Sequence, residues 1–343
     1  MQATTIGIDI AKNVFQVHGV DADGKVVLVR QLRRGQMVGF FTKLAPCLIG
    51  MEACSTGHHW ARELTKLGHR VKLMPASYVK AYVKRSKNDA ADAAAICEAV
   101  TRPSMRYVPV KTVDQQVALM LHRARDLLVR QRTQLINAIR GHLAEIGLVA
   151  AKGVDGLKSL LGVIAEARKR ARLPEEMSNA LRALAAQLQS LSDQIGVLER
   201  NIHAQHRASE ASRRLETIPS IGVIGATAIT ATVTDASAFK SGREFAAWVG
   251  LVPRQYSTGG KQKLGGISKQ GDRYLRRLLI VGATAVIRHA RAHPDKNPWI
   301  MKLLARMPAK KAAVALANKT ARIAWALLAK GGTYRQPKLA AVA

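Results

Sequence analysis

Residues 4–20 read TTIGIDIAKNVFQVHGV. TTIGIDI and NVFQVHGV are β-rich runs, and the first carries Asp9 between isoleucines. A carboxylate in the middle of such a strand is costly if it is buried without a partner. Working outward, Asp21 to Gly24 reads as a turn, and KVVLVRQL follows as a third strand. CLIGMEA is a short apolar run, a buried strand ending near Glu52. GHHWARELTKLG predicts a helix stopped by Gly68, and HRVKLMPA another strand. Three strands in hairpin succession, then strand, helix, strand and helix, predict an α/β domain.

Downstream the chain turns helical. Residues 114–147 carry arginines on one side and Leu, Ile and Val on the other. Pro174, Glu175 and Glu176 mark a helix start. Met177, Leu181, Leu184, Leu188, Leu191, Ile195, Leu198 and Ile202 then recur at alternating spacings of four and three. That heptad seam predicts a coiled coil, or else one helix of an ordinary bundle. LETIPSIGVIGATAITATV, with Pro219, Gly222 and Gly225, looks like a helix-hairpin-helix turn that offers backbone N–H groups to a phosphate. A plain interhelical turn is the alternative. YSTGGKQKLGGISKQGDRYLRRLLI predicts a Gly- and Lys-rich mobile loop and then a helix bearing Arg273, Arg276 and Arg277. Its spacing is not that of a nucleotide P-loop, so Lys261, Lys263, Lys269, Arg273, Arg276 and Arg277 are expected on a nucleic-acid backbone, as are Lys84, Arg85 and Lys87 further upstream.

The 343 residues include 54 Lys+Arg and 23 Asp+Glu, a net charge of +31, with 48% hydrophobic residues. A chain with that much apolar content folds, and a folded protein this basic is self-repelling unless a polyanion neutralises it. Nucleic acid is the expected partner. The three cysteines, Cys47, Cys54 and Cys97, form no CxxC pair, which argues against a disulfide framework or a zinc ribbon. The N-terminus does not have the pattern of a signal peptide. AAVALANKTARIAWALLAK is interrupted by Lys319 and Arg322 and predicts a buried helix, not a membrane span. A cytoplasmic, nucleoid-associated prokaryotic protein with no membrane partner is expected.

The acids are scarce, so their placement carries information. Residues 84–99, KRSKNDAADAAAICEA, put Asp89 and Asp92 on an alanine-rich helix behind Lys84, Arg85 and Lys87. Asn88 is a good N-cap, and acids in a first turn suit the helix dipole. That accounts for Asp89 and partly for Asp92. Residues three apart also share a face, and two anions so close repel unless a cation lies between them. Asp9 and Glu52, taken singly, fit the solvent face of an edge strand equally well. Together, an acid on the first strand, one on the fourth and a pair on a following helix form the layout of an RNase H-like fold. Four carboxylates can hold two Mg²⁺ ions, with Mn²⁺ as a substitute, on either side of a phosphodiester.

GIDIAK, MEAC, KNDAADA and GLVPRQYSTGGKQKLGGISKQGDRYLRRLL resemble, in that order, the DEDD transposases of the IS-one-ten insertion-sequence family, which includes the Piv-type DNA invertases. The resemblance covers nearly the whole chain. It implies an RNase H-like (RuvC-like) catalytic domain at 1–150, a helical coiled-coil region at 151–212, and a mainly helical C-terminal transposase domain at 213–330 with the helix-hairpin-helix-like turn. A tail would fill 331–343. It implies Asp9, Glu52, Asp89 and Asp92 as catalytic metal ligands and a serine nucleophile, for which Ser257 is the choice over Thr258 and Ser268. It further implies a bridge or seeker RNA that pairs with donor and target DNA. A homo-oligomer, dimer or tetramer, would form through the coiled coil. Two other readings use the same residues: a structure-selective nuclease with water as nucleophile, and a non-catalytic RNA/DNA-binding scaffold.

Overall fold

The computed structural model describes residues 2–83, 88–149, 156–169 and 173–335. Two compact units make up the chain, Met1–Val113 and Asp114–Ala343.

In the first unit, β1 (Thr5–Ile10), β2 (Val14–Val20) and β3 (Val26–Arg33) form an antiparallel meander. The helix α1 (Met37–Phe41) leads to β4 (Leu48–Glu52), α2 (Gly57–Lys66) and β5 (Arg70–Met74). A short α3 (Ala76–Val79) and α4 (Asp89–Ala99) follow. The sheet order is β3-β2-β1-β4-β5, with β4 parallel to both β1 and β5. The sequence therefore predicted the mixed α/β class and the pairing of first and fourth strands correctly.

Strand periodicity explains the layering. On β1, Ile6 and Ile8 are fully buried in one core with Phe15, Val17, Ile49 and Met51. That core also takes Trp60, Ala61 and Leu64 of α2. Successive side chains alternate between faces, so Gly7 and Asp9 point the other way, toward the side that α4 covers. Gly50 and Glu52 of β4 share that side. There Met74, Val79, Ile96 and Val100 build a second, smaller core.

The second unit is mainly helical: α5 (Val113–Ala144), α6 (Gly156–Lys169), α7 (Glu175–Ala208), α8 (Glu210–Glu216), α9 (Val223–Thr232), α10 (Gly242–Trp248), α11 (Arg273–Ala292), α12 (Pro298–Arg306) and α13 (Ala309–Lys330). Its main core joins Leu215, Phe245, Leu275, Leu279 and Ala317. The heptad seam of α7 is occupied within the chain. Leu181 and Leu188 pack with Ile139 and Leu143 of α5 and with Leu160 and Ile164 of α6; Leu191, Ile195 and Ile202 are buried too. Helix α5 shows a different apolar stripe outward, with Val117, Met120 and Leu127 all exposed.

The stretch expected as a mobile loop is instead an antiparallel hairpin, β6 (Pro253–Gln255) and β7 (Leu264–Ile267). A bridge between Thr258 and Lys261 closes its tip. Gly259 and Gly260 take φ of +53° and +77° there. Two consecutive left-handed residues make the turn that matches strand twist, and glycine adopts them without steric cost. Composition marked the glycines but not the pairing around them. Cys47, Cys54 and Cys97 are free thiols. Among the described residues, no helix is long and apolar enough to cross a membrane.

Candidate active site

Asp9 lies one residue before the end of β1, and Glu52 closes β4. The parallel register pairs Gly7 with Gly50 and Ile8 with Met51. One step further along both strands brings Asp9 and Glu52 side by side, at the carboxyl ends where open α/β sheets bind ligands.

Helix α4 lies directly on the glycine pair. A Cβ on Gly7 would stand 2.2 Å from the Ala93 carbonyl oxygen and 2.3 Å from the Cys97 nitrogen. One on Gly50 would stand 2.7 Å from Val100 Cβ. The Cys97 thiol also donates to the Thr5 carbonyl at 3.6 Å. Helix and strand thus run in opposite directions. From Gly7 to Asp9 the strand advances ~6.6 Å, which equals about four helical residues at ~1.5 Å each. Moving that far back from Ala93 and Cys97 reaches the span Asp89 to Ala93, so the first turn of α4 is level with Asp9. The Asn88 side chain caps that turn, accepting from the Ala91 N–H at 2.7 Å. Asp89 is exposed and Asp92 half-buried.

The four acids therefore converge on one end and one face of the first unit. Carboxylate oxygens are the hard donors that Mg²⁺ takes, typically one or two of them plus water and substrate phosphate. Among the described residues no three His, Cys, Asp or Glu side chains are already grouped closely enough to hold a metal ion. The donor set fits such an ion chemically, but it is not a preformed cage. The glycine notch was not identified from sequence, although GIDI and IGME each carry a Gly two residues before the acid.

In the second unit the hairpin presents Ser257. Ser257 is exposed, and its Oγ accepts from the Gln255 side-chain amide at 2.9 Å. Thr258 is exposed in the tip turn. Ser268 differs: its Oγ is enclosed and has no hydrogen-bond partner, so an incoming phosphate could not reach it without rearrangement. The base of the hairpin is locked. Gly250 and Gly271 have φ of +79° and +71°. Cβ atoms there would fall 2.2 Å from the Gln270 carbonyl oxygen and 1.9 Å from that of Trp248.

The basic residues divide into groups. Lys261, Lys263 and Lys269 are exposed on and beside the hairpin, and Arg273 is exposed at the start of α11. Arg276 is buried, its guanidinium donating to the Val249 and Gln270 carbonyls at 2.8 and 2.7 Å. It ties the hairpin base together and is not presented at the surface. Arg277 is half-exposed, paired with Asp126 and lying over the Tyr274 ring. Lys84, Arg85 and Lys87 lie outside the described residues.

Comparison with known proteins adds context to these two halves. Residues 6–148 match a family model of IS110 DEDD type described as transposase. Residues 212–300 match a second, the transposase IS116/IS110/IS902 family. A probable family 20 transposase of Pseudomonas aeruginosa is 52% identical, over 98% of this chain and 99% of its own. The transposase for insertion sequence element IS1111A of Coxiella burnetii is 43% identical, over 96% and 91%. That for IS1328 of Yersinia enterocolitica is 40% identical, over 96% and 98%.

Proposed function

This chain belongs to the IS110 family of DEDD transposases, DNA-cutting and -rejoining enzymes of insertion sequences, and from that premise we propose a metal-dependent strand exchange through a serine–DNA link. The observation that carries the proposal is the meeting of Asp9 and Glu52 at the ends of adjacent parallel strands, with the acidic first turn of α4 level with them. This convergence supports an RNase H-like domain. The two family matches also fit a catalytic domain at 1–150 and a transposase domain at 213–330.

Asp9, Glu52, Asp89 and Asp92 would hold one or two divalent ions, Mg²⁺ by their oxygen chemistry. When bound, such ions supply Lewis-acid stabilisation of charge on the transferring phosphoryl group. Ser257 Oγ attacks phosphorus, giving its proton to a base. The displaced deoxyribose oxygen takes up a proton, and the phosphodiester becomes a phosphoserine ester of similar energy. The reverse attack by another strand's hydroxyl then rejoins DNA. The Gln255 amide holds the Oγ rotamer while leaving its proton free to depart. Lys261, Lys263, Lys269, Arg273 and Arg277, with Lys84, Arg85 and Lys87, contact phosphates. The turn between α8 and α9 acts in the helix-hairpin-helix manner. Arg276 acts from beneath, as a positioning residue.

A structured guide RNA as second partner rests on the family resemblance and is in keeping with the net charge of +31. Self-association completes the reading. Because the α7 seam already has partners in its own chain, pairing through it requires those helices to exchange; the exposed stripe on α5 offers a direct route.

The test is a strand-exchange assay on the element's ends, with and without RNA transcribed from its non-coding flank. Covalent protein–DNA adduct is scored for wild type, Ser257→Ala and Ser268→Ala. Adduct from wild type and Ser268→Ala, and none from Ser257→Ala, is the expected result. Free cut DNA with no adduct from any of them would replace the serine with water.

A further inference from the structure

The second unit contains an open cleft of about 800 Å³ along α13, whose lining includes Arg243, Trp299, Lys319, Arg322 and Trp325. None of these is used by the proposed reaction. The volume is in the range of small-ligand sites, and three features make this one a built surface.

Its floor is fixed by a backbone contact. Gly242 opens α10, and a Cβ there would stand 2.9 Å from the Arg322 carbonyl oxygen and 3.0 Å from its Cα. The missing side chain lets α10 and α13 touch. One indole is also fixed, because Trp325 donates its ring N–H to the Ala236 carbonyl at 3.0 Å. The other indole is displayed. Trp299 is 41% exposed, with the Lys319 ammonium 3.9 Å from its ring centroid. A cation over a half-exposed indole is a weak contact and readily exchanged.

The charge in the cleft is of one sign. Arg243, Lys319 and Arg322 line it, and among the described residues no Asp or Glu does. Aromatic faces beside cations, without competing anions, are what a nucleotide needs: a ring for the base and ammonium or guanidinium groups for the phosphate. A base inside a duplex is already stacked on both sides and cannot reach the Trp299 face. We propose that this cleft holds an unstacked nucleotide of a single-stranded nucleic acid, the base on Trp299 and its phosphate drawing Lys319 off the ring. The proposal rests on the reading that the protein acts on nucleic acids and adds a second, single-strand-selective contact to it.

The test measures binding of short labelled single-stranded DNA, single-stranded RNA of the same sequence, and the corresponding duplex to the full chain. Loss of one base–aromatic stack weakens binding roughly five- to 150-fold. Trp299→Ala should show such a loss in at least one single-strand arm, with duplex affinity within about twofold of wild type. The arm that loses more, RNA or DNA, names the strand held there. Lys319→Gln leaves the packing intact and should lower single-strand affinity less, with a shallower salt dependence. Single-strand binding by Trp299→Ala equal to wild type, or an equal loss on duplex, would overturn the inference while leaving the proposed function standing. Failure of the wild-type protein to bind any of the three probes would overturn both.

Discussion

Replacing Gly7 with alanine tests the whole placement of the acidic site. The new Cβ would lie 2.2 Å from the Ala93 carbonyl oxygen, 2.3 Å from the Cys97 nitrogen and 2.8 Å from the Cys97 Cα. A comfortable contact is about 3.5 Å, so α4 must move out by roughly 1.3 Å on the closest of these. All three obstacles are backbone, and no rotamer change relieves them. The same motion carries Asp89 and Asp92 away from Asp9 and Glu52. A misplacement of ~1 Å costs on the order of 100-fold in rate, and overpacking costs about 1–3 kcal/mol of stability. For a domain this size, each kcal/mol lowers the melting temperature by roughly 4–8 °C. The assays are strand-exchange rate at saturating Mg²⁺ and thermal unfolding. Gly50→Ala supplies an internal comparison, because its Cβ would meet the Val100 side chain at 2.7 Å. A second change, Val100→Gly, which removes the obstructing Cβ itself, should restore part of the activity to Gly50→Ala, whereas no side-chain trimming should restore Gly7→Ala. Gly39→Ala has open space around it and serves as the control. Wild-type rate and melting temperature in Gly7→Ala would refute the argument that α4 sits on this notch.

Other outcomes follow from the two units. A mixture of Asp89→Ala and Ser257→Ala proteins should recover part of the strand-exchange activity if one subunit's acids meet another's serine; normal assembly without recovery rejects a shared site. Met120→Glu with Leu127→Glu should lower the oligomeric mass seen by light scattering and leave the fold intact. Leu188→Glu, in the buried seam, should unfold the helices around it instead. His122 is buried beside Tyr274, its Nδ1 3.1 Å from the hydroxyl. Burial, and then the Arg125 charge, hold its pKa down to about 4. An unfolded histidine takes up a proton near pH 6.5 and the folded one does not, so stability is full above that pH and falls as pH drops toward 4. The loss is on the order of 3 kcal/mol, and His122→Gln should flatten the fall in melting temperature between pH 7 and pH 4.5.

Much of the first unit was legible because strand burial leaves a period of two in the sequence. β2 alternates buried Phe15 and Val17 with half-buried Gln16 and His18, and Gly68, with φ +93°, stops the segment after α2 as its type suggests. The convergence of Asp9, Glu52 and the α4 acids was legible only as a joint pattern. What was not legible depends on contacts between segments far apart in sequence. Gly7 and Gly50 look like ordinary strand glycines until the α4 backbone at Ala93 and Cys97 lies on the first and the Val100 side chain on the second. The α7 seam announces an apolar partner but not which one; the answer, α5 and α6, lies in the helices before it. Arg276 and Arg277 are neighbours in one basic run, yet a carbonyl clamp buries the first and Asp126 pairs the second. Ser257 and Ser268 are alike in composition and loop context, and they separate only when the fold exposes the first hydroxyl and buries the second.

The hairpin that bears Ser257 behaves as a cantilever. Its anchorage is tightly packed, where Gly250, Gly271 and Arg276 interlock, while Tyr256 and Leu264 near its free end are left bare to solvent. A beam of this kind transmits little of what happens at its tip back to the wall. Exchange of residues 254–267 for the corresponding arm of a relative should therefore change which nucleic-acid surface the serine meets without disturbing the fold that carries it, provided the two left-handed glycines at the turn are kept. The arm is the segment that can be redesigned; the notch under α4 is not.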